Sequence, residues 1–164
     1  MVSKKVEAAI NGQIQAELYS AYLYLAMSAY CASANYQGFA SWLKVQAQEE
    51  VEHAMKFYAF LLDRSGTVAL QAIQKPPTTF TSPLTAFEQA YGHEQKVTGM
   101  INVLYELARA EKDYAFEQFL HWFIEEQVEE EAQTLEIVQV LGKIGDAGNG
   151  IWMFDHQLGK RKAA

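Results

Sequence analysis

The sequence predicts an all-α fold: a four-helix bundle with one long crossover and a short fifth helix at the C-terminus. Three observations predict it. Long stretches rich in Ala, Leu, Glu, Gln and Lys carry apolar residues at helical spacing, and none alternates with the two-residue period of a strand. All three prolines (Pro76, Pro77, Pro83) fall close together, and half of the ten glycines lie after Gln139. What lies between these breakers runs on without punctuation. Finally, 164 residues, half of them apolar, bury roughly 70% of the surface of the unfolded chain and sustain one core without staples.

The first helix, α1, is expected from about Lys4 to Ser33, with Asn35-Tyr36-Gln37-Gly38 as a tight connection. Helix α2 follows over about 37–64 and stops at Ser65-Gly66. Ser82-Pro83 is an N-cap followed by proline at the first helical position, so α3 covers about 83–110. Helix α4 covers about 114–143, although Glu111-Lys112-Asp113 before it holds neither glycine nor proline. A short apolar α5 is expected over about 151–158, followed by Lys160-Arg161-Lys162, read as a solvated basic end. The whole of 1–164 reads as a single domain.

The connection over 65–82 decides the topology. Helix α2 is roughly 42 Å long at about 1.5 Å per residue. The connection stretches to roughly 60 Å at ~3.3 Å per residue, enough to run the length of the bundle and start α3 parallel to α2. The short links make α1–α2 and α3–α4 antiparallel, which gives a bundle with one long crossover.

Composition excludes several classes. Cys31 is the sole cysteine, which rules out an internal disulfide framework and any multi-cysteine zinc or iron–sulfur site. Thirteen basic against 20 acidic side chains, net −7, argue against nucleic acid as a partner. Met1-Val2-Ser3-Lys4-Lys5 lacks the apolar run of a signal peptide. Leu18 to Met27 is too short to span a bilayer, so the expected compartment is the cytoplasm, with no membrane partner.

The chemistry lies in acidic residues set inside apolar stripes. Helix α1 aligns Ile10, Ile14, Glu17, Ala21 and Tyr24; α2 aligns Leu43, Gln46, Glu50, His53, Phe57 and Leu61. Helix α3 aligns Phe87, Tyr91, Glu94, Val97, Ile101 and Leu104; α4 aligns Phe116, Leu120, Phe123, Gln127, Glu130, Thr134 and Ile137. Each helix thus turns a carboxylate inward near its middle. Four ionised carboxylates converging in a core require cations, because alone they would protonate. Glu50 and His53, at i and i+3, are neighbours on one face. Carboxylate oxygens with one imidazole suit iron or manganese, with zinc as a competitor.

At these positions the chain resembles the non-haem ferritins, the bacterial type in particular. Glu17 with Tyr24, Gln46-Ala47-Gln48-Glu49-Glu50-Val51-Glu52-His53, His93-Glu94 and Glu126-Gln127-Val128-Glu129-Glu130-Glu131 carry the resemblance, in order, across four helices. Glu50-x-x-His53 is the helical element of carboxylate-bridged dimetal bundles. The resemblance implies a ferroxidase centre with two irons per subunit. Glu17, Glu50 and His53 would hold the first iron; Glu50 would bridge; Glu94 and Glu130 would hold the second. Glu49, Glu126 and Glu129, with Glu130, would form a third iron site. Gln127 would contact the centre or its bound oxygen species, and Tyr24 would hydrogen-bond within it and could supply an electron; Trp122 is a lesser candidate for that role.

The resemblance further implies Fe(II) and O2 or H2O2 as substrates, and a ferric mineral stored in a homo-oligomer, a hollow shell of 24 subunits. The short α5 would sit at the four-fold axes, burying Ile151, Trp152, Met153, Phe154 and Leu158 on assembly. Haem is not expected. Haem-containing bacterioferritins repeat Glu-x-x-His on α4, where this chain has Gln127 and Glu130, and their haem-ligating methionine corresponds to Val51. A small di-iron oxidase or peroxidase without storage is the second reading. A structural or partner-binding bundle is the third.

Overall fold

Side chains set where most of the helices begin. The structure, a computed structural model, describes residues 1–163. Ser3 Oγ accepts from the Val6 amide at 3.3 Å and starts α1 (Lys4–Ser33). Ser82 Oγ accepts from the Thr85 amide at 3.1 Å and starts α3 (Pro83–Ala110), with proline in its first turn. Asp113 Oδ1 accepts from the Phe116 amide at 3.1 Å and starts α4 (Tyr114–Ile144). The break before α4 needs no glycine because Lys112 itself takes a left-handed φ of 54°. Arg64 holds the turn there through two hydrogen bonds to the Asp113 carboxylate, at 3.0 and 3.1 Å.

Helix α2 spans Gln37–Asp63. Its left-handed terminating residue is Ser65 (φ 58°), not the glycine that follows. Gly66 is required for space instead, since a Cβ there would lie 2.3 Å from Leu61 Cδ1.

The halves of the helices sort into two apolar clusters, and this sorting gives the topology. One cluster joins Val6, Ile10 and Ile14 of α1 to Phe57 and Leu61 of α2, Ile101 and Leu104 of α3, and Phe116 and Leu120 of α4. The other joins Met27 and Cys31, Phe39 and Leu43, Phe87 and Ala90, and Ile137 and Leu141. The first half of α1 therefore meets the second half of α2, and these helices are antiparallel. The second halves of α2 and α3 meet, so these two run parallel. Helices α3 and α4 are again antiparallel.

The crossover runs along α1 to make this possible. Asn11 accepts from the Ala69 amide at 2.7 Å and donates to the Thr67 carbonyl at 2.9 Å, and Gln15 donates to the Ala72 carbonyl at 3.1 Å. Phe80 then lies against Tyr30, with ring centroids 5.3 Å apart. No strand is found among the described residues, and no helix among them is long and apolar enough to cross a membrane. Cys31 is fully buried, and burial pushes its thiol up to about 12, so it packs as a small apolar group.

Helix α5 spans Gly148–Leu158, beginning at Gly148 rather than at Ile151. It docks on its own bundle: Ile151, Phe154 and Leu158 pack against the second cluster. Trp152 and Met153 remain exposed. The docking repairs a defect in α2, whose N-cap position, Tyr36, contributes no side-chain hydrogen bond. Asp155 supplies it instead, accepting from the Gly38 and Phe39 amides at 3.1 and 2.8 Å. Contact is so close that a Cβ on Gly38 would fall 1.6 Å from the Asp155 carbonyl oxygen.

Asp155→Ala is expected to lower stability by about 1–2 kcal/mol, the loss of an N-cap. Gly38→Ala should undock α5 by collision. In both variants, hydrogen exchange at the α5 amides should accelerate ahead of global unfolding. Unchanged α5 protection would show that the docking contributes nothing.

Candidate metal centre

Between the two apolar clusters lies a polar waist. Each long helix brings to it the residue that interrupts its apolar stripe: Glu17 from α1, Glu50 and His53 from α2, Glu94 from α3, and Gln127 and Glu130 from α4. All are buried, and the four carboxylates are at most 3% exposed. Aromatic rings wall the site on one side. His53 meets Trp122 and Phe123 edge to face, with centroids 5.4 and 6.0 Å apart.

Side-chain amides and one phenol, not fixed cations, are the hydrogen-bond donors to the four carboxylates. Gln13, one turn before Glu17, donates to its Oε1 at 2.8 Å. Gln46, one turn before Glu50, donates to Glu50 Oε1 at 3.2 Å and to Glu130 Oε2 at 2.7 Å. Gln127 donates to Glu94 Oε2 at 3.2 Å, and the Tyr24 hydroxyl donates to Glu94 Oε1. His53 Nδ1 lies 3.3 Å from Glu50 Oε2. Glu17 Oε2 is buried with no partner among the described residues. A buried carboxylate oxygen left unsatisfied is costly, and a bound cation would satisfy it.

Electrostatics make the same demand. Burial, and then the neighbouring Glu50 carboxylate, raises Glu17 well above the ordinary carboxylate range. Burial, followed by Glu94 and Glu130, does the same to Glu50. Burial raises Glu94 against the opposing pull of Tyr24 and Gln127. Glu130 is pushed up to about 8 by burial and by Glu94. The waist without a cation is thus a set of carboxyl groups that hold protons they would lose in water. A divalent cation would replace those protons.

Three overlapping groups place ligand atoms within 4.8 Å of one another: Glu17–Glu50–His53, Glu50–Glu94–Glu130 and His53–Glu126–Glu130. The first two share the Glu50 carboxylate. The third uses Glu126, half-buried, whose Oε1 lies 3.8 Å from His53 Nε2. Burial raises Glu126, and the Glu129 and Glu49 charges push the same way. Glu49 and Glu129 belong to none of the three groups. Glu129 is exposed and accepts from Gln133 at 2.7 Å. Glu49 is paired with Arg161 at 2.5 Å. Lys56 sits over the outer face of Trp122, 4.3 Å from its centroid.

Gln13 and Gln46 were not among the site residues expected from sequence, although each stands one turn before an inward carboxylate, a spacing visible in the chain. His93 Nε2 lies 2.7 Å from Ser20 Oγ, beside the Tyr24 ring. Burial lowers it to about 4, so it is neutral. Arg161 corrects the reading of the basic end as solvated, because it lies against Trp42, Gln46 and Glu49.

A bundle with one long crossover, closed around a waist of buried carboxylates, belongs to the class of ferritin-like bundles, with a donor set that could hold metal ions. A family model described as a ferritin-like domain matches residues 7–144. A bacterial non-heme ferritin of Bacteroides fragilis is 43% identical over 161 residues, 98% of this chain and 100% of the relative. One of Staphylococcus aureus is 40% identical over 98% of this chain and 97% of its own length. The open pore ferritin of the hyperthermophilic archaeon Archaeoglobus fulgidus has a TM-score of 0.98 at 47% identity, covering 99% of this chain and all of that one. The chain belongs to the ferritin family.

The raised carboxyl groups fix a sign for pH dependence. Their folded-state pKa values lie above the unfolded ones, so their contribution to stability is complete below the ordinary carboxylate range and is lost as pH rises through the folded values, about 8 for Glu130. Thermal unfolding of metal-free protein should therefore move to lower temperature between about pH 5 and pH 9. Saturating Zn(II) should remove the decline and release protons as it binds near neutrality. A melting temperature that rises over this range in metal-free protein would contradict the arrangement.

Proposed function

We propose that this chain is an iron-storing ferroxidase. Fe(II) is the substrate, and O2 or peroxide is the oxidant. The observation that carries the reading is the Glu50 carboxylate, shared by two groups of converging ligand atoms in a buried waist. Glu17, Glu50 and His53 hold the first Fe(II), Glu50 bridges, and Glu94 and Glu130 hold the second. A ligand set this sparse leaves positions on each iron for the oxidant. Each Fe(II) loses one electron. O2 accepts the two electrons and, with two protons, becomes H2O2. Gln127 and Tyr24 hold Glu94 in place by donating to it, and the buried site excludes side reactions with bulk water. The Tyr24 hydroxyl, raised by burial and by the Glu94 charge, stays protonated and keeps donating.

Glu49, Glu126 and Glu129, with Glu130, form a third iron site, and the product Fe(III) is stored as a hydrated oxide mineral. That cargo requires an enclosed volume, which the proposed 24-subunit shell in the cytoplasm provides. An apolar groove of about 470 Å³ between α1 and α2, lined by Leu18, Tyr22, Leu25, Val51 and Ile73, supports association with a second copy. No haem participates in this scheme.

Iron retention tests the reading. Metal-free protein given excess Fe(II) in air and passed over a sizing column should carry many irons per chain in one large particle. A few irons per chain in a small species would mean a di-iron oxidase, and no co-eluting iron would mean a structural bundle. Glu50→Ala with His53→Ala should abolish the fast phase of Fe(II) oxidation while the helical circular dichroism is kept. Fast oxidation in that variant would move the reaction elsewhere.

A further inference from the structure

Arg161 follows α5, far along the chain from the waist, yet its side chain is only 17% exposed. It lies over the Trp42 ring, 4.3 Å from the centroid. One arm donates to Gln46 Oε1 at 2.9 Å and the other to Glu49 Oε2 at 2.5 Å. Gln46 is fully buried, and its amide nitrogen donates onward to Glu50 and Glu130. The orientation of an amide is set by its partners. With a donor-only guanidinium fixed at Oε1, the nitrogen of Gln46 must face the two carboxylates. A planar fork clamped by stacking on Trp42 meets both demands at once in one fixed geometry, which the freely rotating ammonium of a lysine would not impose.

The same contact places a fixed positive charge on Glu49, next to the carboxylates through which a third cation would be bound. We propose that Arg161 is a positioning residue of the metal centre and an internal competitor for Glu49. It orients Gln46 toward Glu50 and Glu130, and it must be displaced before Glu49 can ligate a cation. The C-terminal segment thereby sets the order of filling: the two waist positions load first, and the Glu49 position loads only as the guanidinium leaves. Departure of Arg161 also uncovers the Trp42 ring, so third-cation binding carries an optical signal. The inference rests on the cation-binding reading of the waist.

Anaerobic calorimetric titration with Zn(II), a redox-silent probe, on the full-length assembled protein tests it. Wild-type protein should show two tight sites per chain and a weaker third whose filling changes Trp42 emission. Replacing a charge-assisted hydrogen bond by a weaker neutral one in Arg161→Gln should tighten the third site about tenfold or more. It should also remove the linked change in emission. Arg161→Lys, which keeps the charge and loses the fork, should give intermediate affinity. Glu49→Gln should weaken the third site, and adding Arg161→Gln to it should restore nothing, since the two side chains act as a pair. A purely structural role would lower the melting temperature in Arg161→Gln and leave the third affinity unchanged, and that result overturns the proposal. Two tight sites with an unmoved third separates this failure from failure of the waist reading, in which no variant, and not the wild type, binds Zn(II) tightly.

Discussion

Four carboxylates buried in the middle of a bundle, with amides as partners and no fixed cation among them, set the terms for the rest of the fold. Such a waist repels itself when ionised and binds protons when it can. It must therefore be held together from outside. Two apolar clusters do this, one at each end, with Phe57, Phe116 and Leu120 in one and Met27, Phe39 and Phe87 in the other. Each long helix passes through both clusters, so no helix can tilt its acidic residue out of the centre without pulling apolar surface from both ends. Helices of 27 to 31 residues are needed for that span.

The crossover follows from the same requirement. An up-down-up-down bundle needs only short loops, but here the second halves of α2 and α3 share a cluster, and so the chain must return along the bundle. Asn11 and Gln15 of α1 provide the rail, pairing with the Thr67, Ala69 and Ala72 backbone, which has no regular partner of its own. The parallel arrangement brings Glu50 and Glu94 into one group of ligand atoms, while Glu50 also belongs to a second with Glu17 and His53.

Much of this was legible in sequence because it is local. The stripes interrupted by Glu17, Glu50, Glu94 and Glu130 follow from the helical period alone, and the caps at Ser82 and Pro83 are local chemistry. Less legible were features that depend on a side chain arriving from elsewhere. Lys112 takes the left-handed conformation that composition would give to glycine, and the turn is held by Arg64 from the end of α2. Asp155 caps a helix whose own N-cap is silent. Gln46 falls between the two kinds: its spacing from Glu50 is local, but its bond to Glu130 is not. No spacing rule links Arg161 to Glu49, because their meeting depends on where α5 docks.

That docking gives the C-terminal segment two roles in the subunit itself. Three apolar residues of α5 rest on the chain's own core, and Asp155 anchors the segment to the first turn of α2. The anchor fixes Gly159 against Gly38, where a Cβ on Gly159 would lie 3.0 Å from the Gly38 Cα. From that fixed point the chain needs only two more residues to deliver a guanidinium to Gln46 and Glu49, further along α2. One end of α2 thus receives a carboxylate for first-turn amides that have no partner within the helix, and its middle receives a cation beside its acidic residues. A displacement of α5 would act on both at once.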